Sequence, residues 1–421
     1  MKKSTWNIVG IVCAFVALLG CAHEPTNTTP MKTAAEILGN PEYQAISYGG
    51  YRAKSREVQP TIQQLKNDMK IMHAMGIRML RTYNLQFDHA PNVLRAIREL
   101  KQEDPTFEMY VMLGAWIDCQ DAWTDHPNHE FEDPANNESE ISKAVHYANE
   151  YPEIVKVIAV GNEAMVHWAW SYFVKPGVML KYVNYLQELK SMGKLSPDLW
   201  VTSSDNFASW GGGSPDYHNE DLEALVKAVD YVSMHTYPFH DTHYNSAFWE
   251  VHESAVADAS DEERIEMAME RAVFYAKNQY NSVKAYLDSI GIKKPIHIGE
   301  TGWASVSRGL YGPNGSFAAD EVKQALYYKK MRAWTDSAGI SCFYFEAFDE
   351  PWKDPNHEEG SENNFGLITL NGQAKYAIWS LVDQGIFEGL MRNGNTITKS
   401  FGGDSAAVKA TVLVPKTVNE K

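Results

Sequence analysis

Eight short β-rich runs recur along the 421-residue chain, and segments with helical periodicity separate them. The interior runs are apolar on both faces, which is typical of parallel strands buried between two layers. Successive runs start about 30 residues apart or more, which is the length that a strand–helix unit needs. This alternation predicts an α/β fold, a (β/α)8 TIM barrel formed by one domain over residues 41–390. The predicted strands are Ala45–Tyr48, Met79–Tyr83, Glu108–Leu113, Val155–Val160, Leu199–Ser203, Tyr231–Met234, Pro295–Ile298 and Ser341–Phe345.

Helical periodicity fills several of the intervals between these strands. Residues 60–74, 180–192, 262–290 and 319–337 carry apolar side chains at helical spacing, and a glycine follows closely after each stretch. Two connections, residues 118–142 and 239–261, are longer than a link requires. Both follow the carboxyl ends of strands, so we expect enlarged loops at the mouth of the barrel. No glycine-rich phosphate-binding motif follows a strand, which disfavours nucleotide binding.

The first 40 residues do not fit the repeating pattern. Lys2 and Lys3 precede an apolar run of about 12 residues, which is short for a membrane span and typical of a signal peptide. The run ends in Leu-Leu-Gly-Cys, which resembles a bacterial lipobox. We therefore expect a lipoprotein signal peptide over residues 1–20, lipid modification of Cys21 and a flexible tether over residues 21–40. An ordinary signal peptide cleaved nearby is the alternative.

Either interpretation predicts export from the cytoplasm. The lipobox further predicts a chain that is anchored through Cys21 to the bacterial cell envelope, at the outer membrane or facing the periplasm. At the other end, residues 391–421 have weak patterning. They form a C-terminal extension that adds strands at the edge of the barrel or remains partly mobile.

The charge and the cysteine content exclude several classes of protein. The formal net charge is −16, so a role in coating nucleic acid is disfavoured. Beyond the export segment only Cys119 and Cys342 remain, with no zinc-site spacing. The two thiols could pair, but buried free thiols are the default. The histidine pairs of the long loops have no recognised ligand spacing, so the sequence predicts neither a metal nor a cofactor.

Two glutamates stand directly after very apolar strands. Glu163 follows the fourth predicted strand, and Glu300 follows the seventh. An ionisable group at such a position is costly unless it is used, although a single one could form an ion pair at the rim. Two carboxyl groups that face one bond across a barrel mouth are the apparatus of glycoside hydrolysis.

The segments around these glutamates resemble glycoside hydrolase family 17, the β-1,3-glucanase family. VIAVGNEAM, IHIGETGWAS and FYFEAFDEPWK carry the likeness at strands four, seven and eight. ISYGG, RMLRTYN, VDYVSMHTYPF and SENNFGLI match in the same order, so the resemblance covers about residues 44–390. Ala304 is a departure, because the family usually has proline there, and the two long loops differ from those of compact plant members.

The resemblance implies roles for individual residues. Glu163 matches the general acid/base, and Glu300 matches the nucleophile of a retaining mechanism with a covalent glycosyl-enzyme. Asn162 would bind the sugar 2-hydroxyl, and Tyr237 would contact the nucleophile. The remaining implied substrate-binding residues are Glu350, Lys353 and Glu362 in a charged cluster, Trp303 as a sugar platform, Trp352, and Arg81 and Tyr83 at the end of strand two.

Three functions follow from these features. The first is a retaining β-1,3-glucanase that acts as a monomer on a laminarin-like polysaccharide. The second is a β-1,3-glucan transglucosylase, which would pass the same glycosyl-enzyme to a sugar instead of water. The third is a surface glycan-binding protein without catalysis, which both intact glutamates disfavour.

Overall fold

All eight predicted strands are present, and they form one closed barrel in the computed structural model, which describes residues 31–418. Each strand pairs in parallel with its two neighbours in chain order, and the first strand closes the barrel against the eighth. The (β/α)8 barrel fold is therefore confirmed. The strands are β1 Gln44–Ser47, β2 Ile77–Arg81, β3 Tyr110–Ala115, β4 Val155–Asn162, β5 Trp200–Asn206, β6 Val232–His235, β7 Ile296–Gly302 and β8 Cys342–Phe345.

A helix follows each strand and covers the outside of the barrel. The helix between β1 and β2 begins at a capping box in which Thr61 and Gln64 satisfy each other's backbone N–H groups, and Ser260 and Glu263 do the same for the longest helix. The helices are α1 Ile62–Ala74, α2 His89–Glu103, α3 Pro134–Glu150, α4 Pro176–Ser191, α5 Glu220–Ala228, α6 Asp261–Ser289, α7 Glu321–Ala338 and α8 Trp379–Asp383. No helix within residues 31–418 is both long and apolar enough to cross a membrane.

Strands β4, β5 and β7 continue beyond the predicted ends into polar residues. Their pairing extends to Asn162, Asn206 and Gly302. The backbone ladder continues there because strand pairing needs only N–H and C=O groups, whereas the prediction followed the apolar side chains. The extension places the polar side chains on rigid strand ends at the mouth of the barrel.

The domain begins earlier than the sequence predicted. A short helix, Ala34–Ile37, starts at a capping box formed by Thr33 and Glu36. Ala34, Ile37 and Leu38 are buried. They belong to one hydrophobic cluster together with side chains of the barrel strands, such as Met79 and Met112. A flexible tether up to residue 40 is therefore wrong for residues 33–40. Residues 1–30, with the predicted signal peptide and Cys21, lie outside the described part of the chain.

The C-terminal extension packs on the barrel. Its short strands pair with one another or with earlier segments, and residues 405–410 form a helix. Arg392 is fully buried and forms an ion pair of 2.6 Å with Asp68 of α1. Asp68 also pairs with Arg52 at 2.8 Å and accepts a hydrogen bond from the Tyr48 hydroxyl. The extension is thus joined to the loop that follows β1.

The connection after β3 is shorter than predicted, because α3 begins at Pro134 instead of near residue 142. Before it, Cys119–Gln120 and Asn128–Glu132 pair as two short antiparallel strands, which we call the β3–α3 hairpin. The connection after β6 contains the helix Pro238–Tyr244 and two single turns. Cys119 and Cys342 are buried free thiols.

Candidate active site

Glu300 lies near the carboxyl end of β7 and is held by three side chains. Arg81, at the end of β2, forms a buried ion pair with Glu300 Oε2. The Tyr83 hydroxyl donates to the same oxygen at 2.9 Å, and the Tyr237 hydroxyl donates to Oε1 at 2.5 Å. Burial opposes ionisation of this carboxyl, but Arg81, His235 and the two tyrosines outweigh it, so the pKa of Glu300 lies below its usual value. Glu300 is therefore an ionised carboxylate at neutral pH.

Glu163 follows β4 directly and faces the same opening. Its backbone has a positive φ of 47°, and its N–H donates to the carbonyl of Ser204 at 3.0 Å on the neighbouring strand. A left-handed backbone at a non-glycine residue persists only where the surroundings hold it. Its side chain is about one quarter exposed, so it remains accessible to a substrate.

His235, at the end of β6, is a site residue that sequence reasoning did not assign. Its Nδ1 lies 3.1 Å from Glu163 Oε1, and its Nε2 lies 2.8 Å from Ser204 Oγ. An ionised carboxylate can only accept, so Nδ1 carries a proton in that state. Nearby, burial raises the pKa of Asp205 to about 6. The signal that the sequence offered for His235 was its position in the segment HTY, two residues before Tyr237.

Arg81 connects the two catalytic strands. One end of its guanidinium contacts Glu300, and the other donates to Asn162 Oδ1. Because the amide oxygen of Asn162 accepts from Arg81, its NH2 group is left to donate elsewhere. Arg81 and Tyr83 therefore both contact Glu300, the candidate nucleophile, and Asn162 is oriented as a donor.

Two cavities meet at Glu300 and Phe345 and together form a cleft across the barrel mouth. The smaller cavity has a volume of about 380 Å³ and the larger about 690 Å³. Asn162 lines the smaller one, and Glu163 lines the larger one. The smaller cavity is also lined by Tyr51, Arg56, Tyr83, Trp116, Trp123, Glu350, Trp352 and Lys353, and the larger by Trp168, Asn206, Tyr237, His240, Tyr244, Tyr275 and Glu362.

A charged network borders the smaller cavity. Lys353 Nζ lies 2.8 Å from Glu346 Oε1 and 3.4 Å from Glu350 Oε2. Glu350 also accepts a hydrogen bond from the backbone N–H of Tyr51 at 2.8 Å. The carboxylate lies so close to Gly49 that a Cβ at this position would collide with it. Burial raises the pKa of Glu346 well above its usual value, against the opposing charge of Lys353. Glu346 was not predicted as a site residue, although it stands at the end of β8.

The predicted charged cluster is divided between the two cavities. Glu350 and Lys353 line the smaller one, whereas Glu362 lines the larger one. Trp352 lines the smaller cavity, and its indole lies 4.4 Å below the guanidinium of Arg56. A sugar that stacked on this face of Trp352 would have to displace the Arg56 side chain or bind in contact with it.

The prediction that Trp303 is the sugar platform is wrong. Its side chain is 0% exposed and packs against Phe239, Trp249 and Tyr327, the last of these on α7. Its indole N–H donates to the carbonyl of Ala318 at 2.8 Å. The side chain points from the end of β7 into the layer between strand and helix, so it supports the strand that carries Glu300.

No group of three or more His, Cys, Asp or Glu side chains within residues 31–418 is arranged to hold a metal ion.

A (β/α)8 barrel with acidic residues at the ends of β4 and β7, in an aromatic cleft, defines the class of barrel glycoside hydrolases. Residues 45–366 match the model of the BtgE/BtgC glycoside hydrolase domain. The chain belongs to this family, and the resemblance to glycoside hydrolase family 17 is confirmed.

Solved structures and curated relatives agree with this membership. An endo-laminarinase from Formosa Hel1_33_131 is 61% identical, with a TM-score of 0.91, over 93% of this chain and 99% of that one. A probable glucan endo-1,3-beta-glucosidase (btgC) of Aspergillus fumigatus is 24% identical over 73% of this chain, but the match spans only 38% of that protein. A glucan 1,3-beta-glucosidase of Arthroderma benhamiae is 25% identical over 63% of this chain and 70% of its own length.

A more distant structure shares the fold. An active-site mutant of Rhizomucor miehei β-1,3-glucanosyltransferase in complex with laminaritriose has a TM-score of 0.53 and 21% identity, over 85% of this chain and 98% of that one.

Proposed function

We propose that this protein is a β-1,3-glucanase that hydrolyses laminarin-like polysaccharide by a retaining double displacement. The observation that carries the proposal is the triple contact of Glu300 with Arg81, Tyr83 and Tyr237, which keeps this carboxylate ionised where the two cavities meet. A nucleophile needs that state, and a buried carboxylate without such partners would not keep it. The endo-laminarinase from Formosa Hel1_33_131, at 61% identity, supports the same substrate class.

In the first step Glu163, as a carboxylic acid, donates its proton to the glycosidic oxygen. The carboxylate of Glu300 attacks the anomeric carbon, so the bond to the leaving sugar breaks and a glycosyl ester forms. In the second step Glu163, now ionised, takes a proton from water. The water oxygen attacks the anomeric carbon and releases Glu300.

The two cavities give the substrate a direction. The leaving part of the chain must lie beside the acid, so we place it in the larger cavity with Glu163. The sugar that becomes bound to Glu300 lies on the side of Asn162, in the smaller cavity, where the amide NH2 can donate to its 2-hydroxyl. Because there is room on both sides of the reacting bond, the geometry favours endo cleavage.

Substitution of the two glutamates tests the assignment. Glu163→Gln and Glu300→Gln keep the side-chain volume but remove acid/base and nucleophilic chemistry. We expect release of reducing sugar from laminarin to fall by about 10²- to 10⁴-fold for Glu163→Gln, and at least as far for Glu300→Gln. Glu358→Gln is the matched control, because Glu358 is exposed and pairs only with Lys54 on the surface. Full activity in either active-site variant would refute the assignment.

A β-1,3-glucan transglucosylase remains the second candidate, because several aromatic side chains line the larger cavity where an acceptor sugar would bind. Tyr237, Tyr275 and Trp168 are among them. The structural likeness to the Rhizomucor miehei glucanosyltransferase concerns the fold alone, and hydrolysis is favoured. Products longer than the substrate at high oligosaccharide concentration would indicate transfer.

We further propose that the chain is exported and anchored by lipid at Cys21 to the bacterial cell envelope, and that it acts as a monomer. The lipobox-like sequence before Cys21 supports the anchor, and the site is complete within one chain. Incorporation of labelled fatty acid into the full chain, and its loss in Cys21→Ala, tests the anchor.

A further inference from the structure

The β3–α3 hairpin brings an aromatic surface to the smaller cavity that the reaction steps above do not use. Trp116 precedes the hairpin and Trp123 lies within it, and both line the cavity that also contains Asn162 and Glu300. Trp123 is 62% exposed, unlike Trp303, which is fully buried. An indole with that exposure beside a catalytic cleft offers a face to a ligand.

Both indoles are held by one buried carboxylate. Oδ1 of Asp118 accepts from the indole N–H of Trp116 at 2.6 Å and from that of Trp123 at 3.3 Å. The backbone of Asp118 is itself fixed, because its N–H donates to Asn137 Oδ1 at 2.9 Å and its carbonyl accepts from Asn137 Nδ2 at 3.0 Å. Asn137 is buried on α3, so this anchor belongs to the helix layer of the barrel.

An aromatic contact fixes the plane of the Trp123 ring. Tyr172, from the loop after β4, stacks on it with ring centroids 4.8 Å apart and planes inclined by 20°. Tyr172 also lies 5.0 Å from the ring of Trp116. One face of Trp123 is therefore covered by Tyr172 and its edge is held by Asp118, while much of the remaining ring is exposed.

We infer that Trp123 is a sugar-stacking platform for a glucosyl unit beyond the reacting sugar, and that Asp118 is the positioning residue that fixes it. This inference rests on the proposed function and adds a specificity-determining subsite to it. An aromatic side chain that is ordered before binding loses little conformational entropy when a sugar packs on it. Long glucan chains therefore gain a contact that short ones cannot reach.

Kinetics as a function of chain length test the platform. We compare Trp123→Ala and Trp123→Phe with the unaltered protein on laminarioligosaccharides of increasing length. For Trp123→Ala we expect kcat/KM to fall by about tenfold on the longer oligosaccharides and to stay unchanged on the shortest one cleaved. Trp123→Phe keeps an aromatic face and should retain most of the rate. Equal losses at every length, or no loss at any length, would overturn the platform.

Trp170 supplies the matched control. It is 53% exposed and lies near the same loops, but it lines neither cavity of the cleft. We expect Trp170→Ala to leave the dependence on chain length unchanged. A loss as large as that of Trp123→Ala would indicate a general effect of removing surface indoles and would overturn the assignment to Trp123.

The role of Asp118 is tested by a conservative and a disruptive substitution. Asp118→Asn keeps an oxygen that accepts from both indoles, whereas Asp118→Leu removes it. We expect Asp118→Leu to raise KM for long oligosaccharides with little change in kcat, and Asp118→Asn to restore most of the affinity. In a Trp123→Ala background, Asp118→Leu should add little, because its effect acts through the ring. An equal, additive loss in that background would show that Asp118 does not act through Trp123.

Binding separates this inference from the proposed reaction. In the Glu300→Gln background, calorimetry with laminarihexaose reports the platform without turnover. We expect Trp123→Ala to raise the Kd for laminarihexaose by about tenfold. Equal affinities, or no binding by either variant, would overturn the platform. Failure of the unaltered protein to release sugar from laminarin, while laminarihexaose binding still depends on Trp123, would instead count against the reaction alone.

Discussion

Glu300 and Glu163 have different environments although both are glutamates at strand ends of one barrel. Arg81, Tyr83 and Tyr237 surround the carboxylate of Glu300, whereas Glu163 is more exposed and has His235 as its side-chain hydrogen-bond partner. Environments that differ in this way let one carboxyl stay ionised while the other exchanges a proton. The division of labour is therefore set by the residues around each glutamate.

Loss of one phenol should change the pH dependence of the reaction. The hydrogen bond from Tyr237 helps to lower the pKa of Glu300. In Tyr237→Phe the pKa of Glu300 rises, so the carboxylate becomes protonated at a higher pH. We expect the acidic limb of kcat/KM to move to higher pH, with a larger loss of activity in acid than at neutral pH. Tyr185→Phe, an exposed tyrosine on α4, should leave the limb in place.

The sequence singled out both candidate catalytic glutamates because each stands directly after an apolar strand, and a barrel brings all strand ends to one mouth. It could not give side-chain direction beyond a strand end, which is why Trp303 was placed in the cleft when it packs behind β7. It also missed contacts between distant loops. Tyr172 and Trp123 are 49 positions apart, so nothing in the linear pattern links the two rings.

At the scale of elements, the eight strands and four of the helices between them were predictable from apolar runs, capping residues and glycines. The ends of the domain were not. The helix Ala34–Ile37 is short, and the strands after α8 have two residues each, so neither leaves a periodic pattern. Their order comes instead from tertiary contacts such as the ion pair between Arg392 and Asp68.

This ion pair should make the C-terminal extension important for stability. In Arg392→Met, Asp68 loses one of its two buried cationic partners and keeps Arg52. We expect the free energy of unfolding to fall by about 2–4 kcal/mol in chemical denaturation, near the range for breaking a buried ion pair. Arg95→Met breaks the exposed pair with Glu99 and should cost about 1 kcal/mol or less. Equal effects of the two substitutions would contradict a stabilising role for the extension.

At the scale of the whole molecule, the cleft crosses the barrel mouth, with Glu300 where the two cavities meet and Glu163 on the larger one. Tyr51, Arg56 and Trp352, from loops after β1 and β8, line the smaller cavity together with Trp123 of the β3–α3 hairpin. The strands hold the two glutamates, and the connections between strands and helices line the cleft in which a glycan would lie. We expect these connections to determine which glycans fit the cleft.

If Glu300 forms a covalent bond to the sugar, the reaction proceeds with retention of the anomeric configuration. Proton NMR of the first products released from laminarin, recorded before the anomers equilibrate, tests it most directly. We expect the β-anomer to appear first and the α-anomer later by mutarotation. Initial release of the α-anomer would mean single displacement by water and would contradict the role given to Glu300.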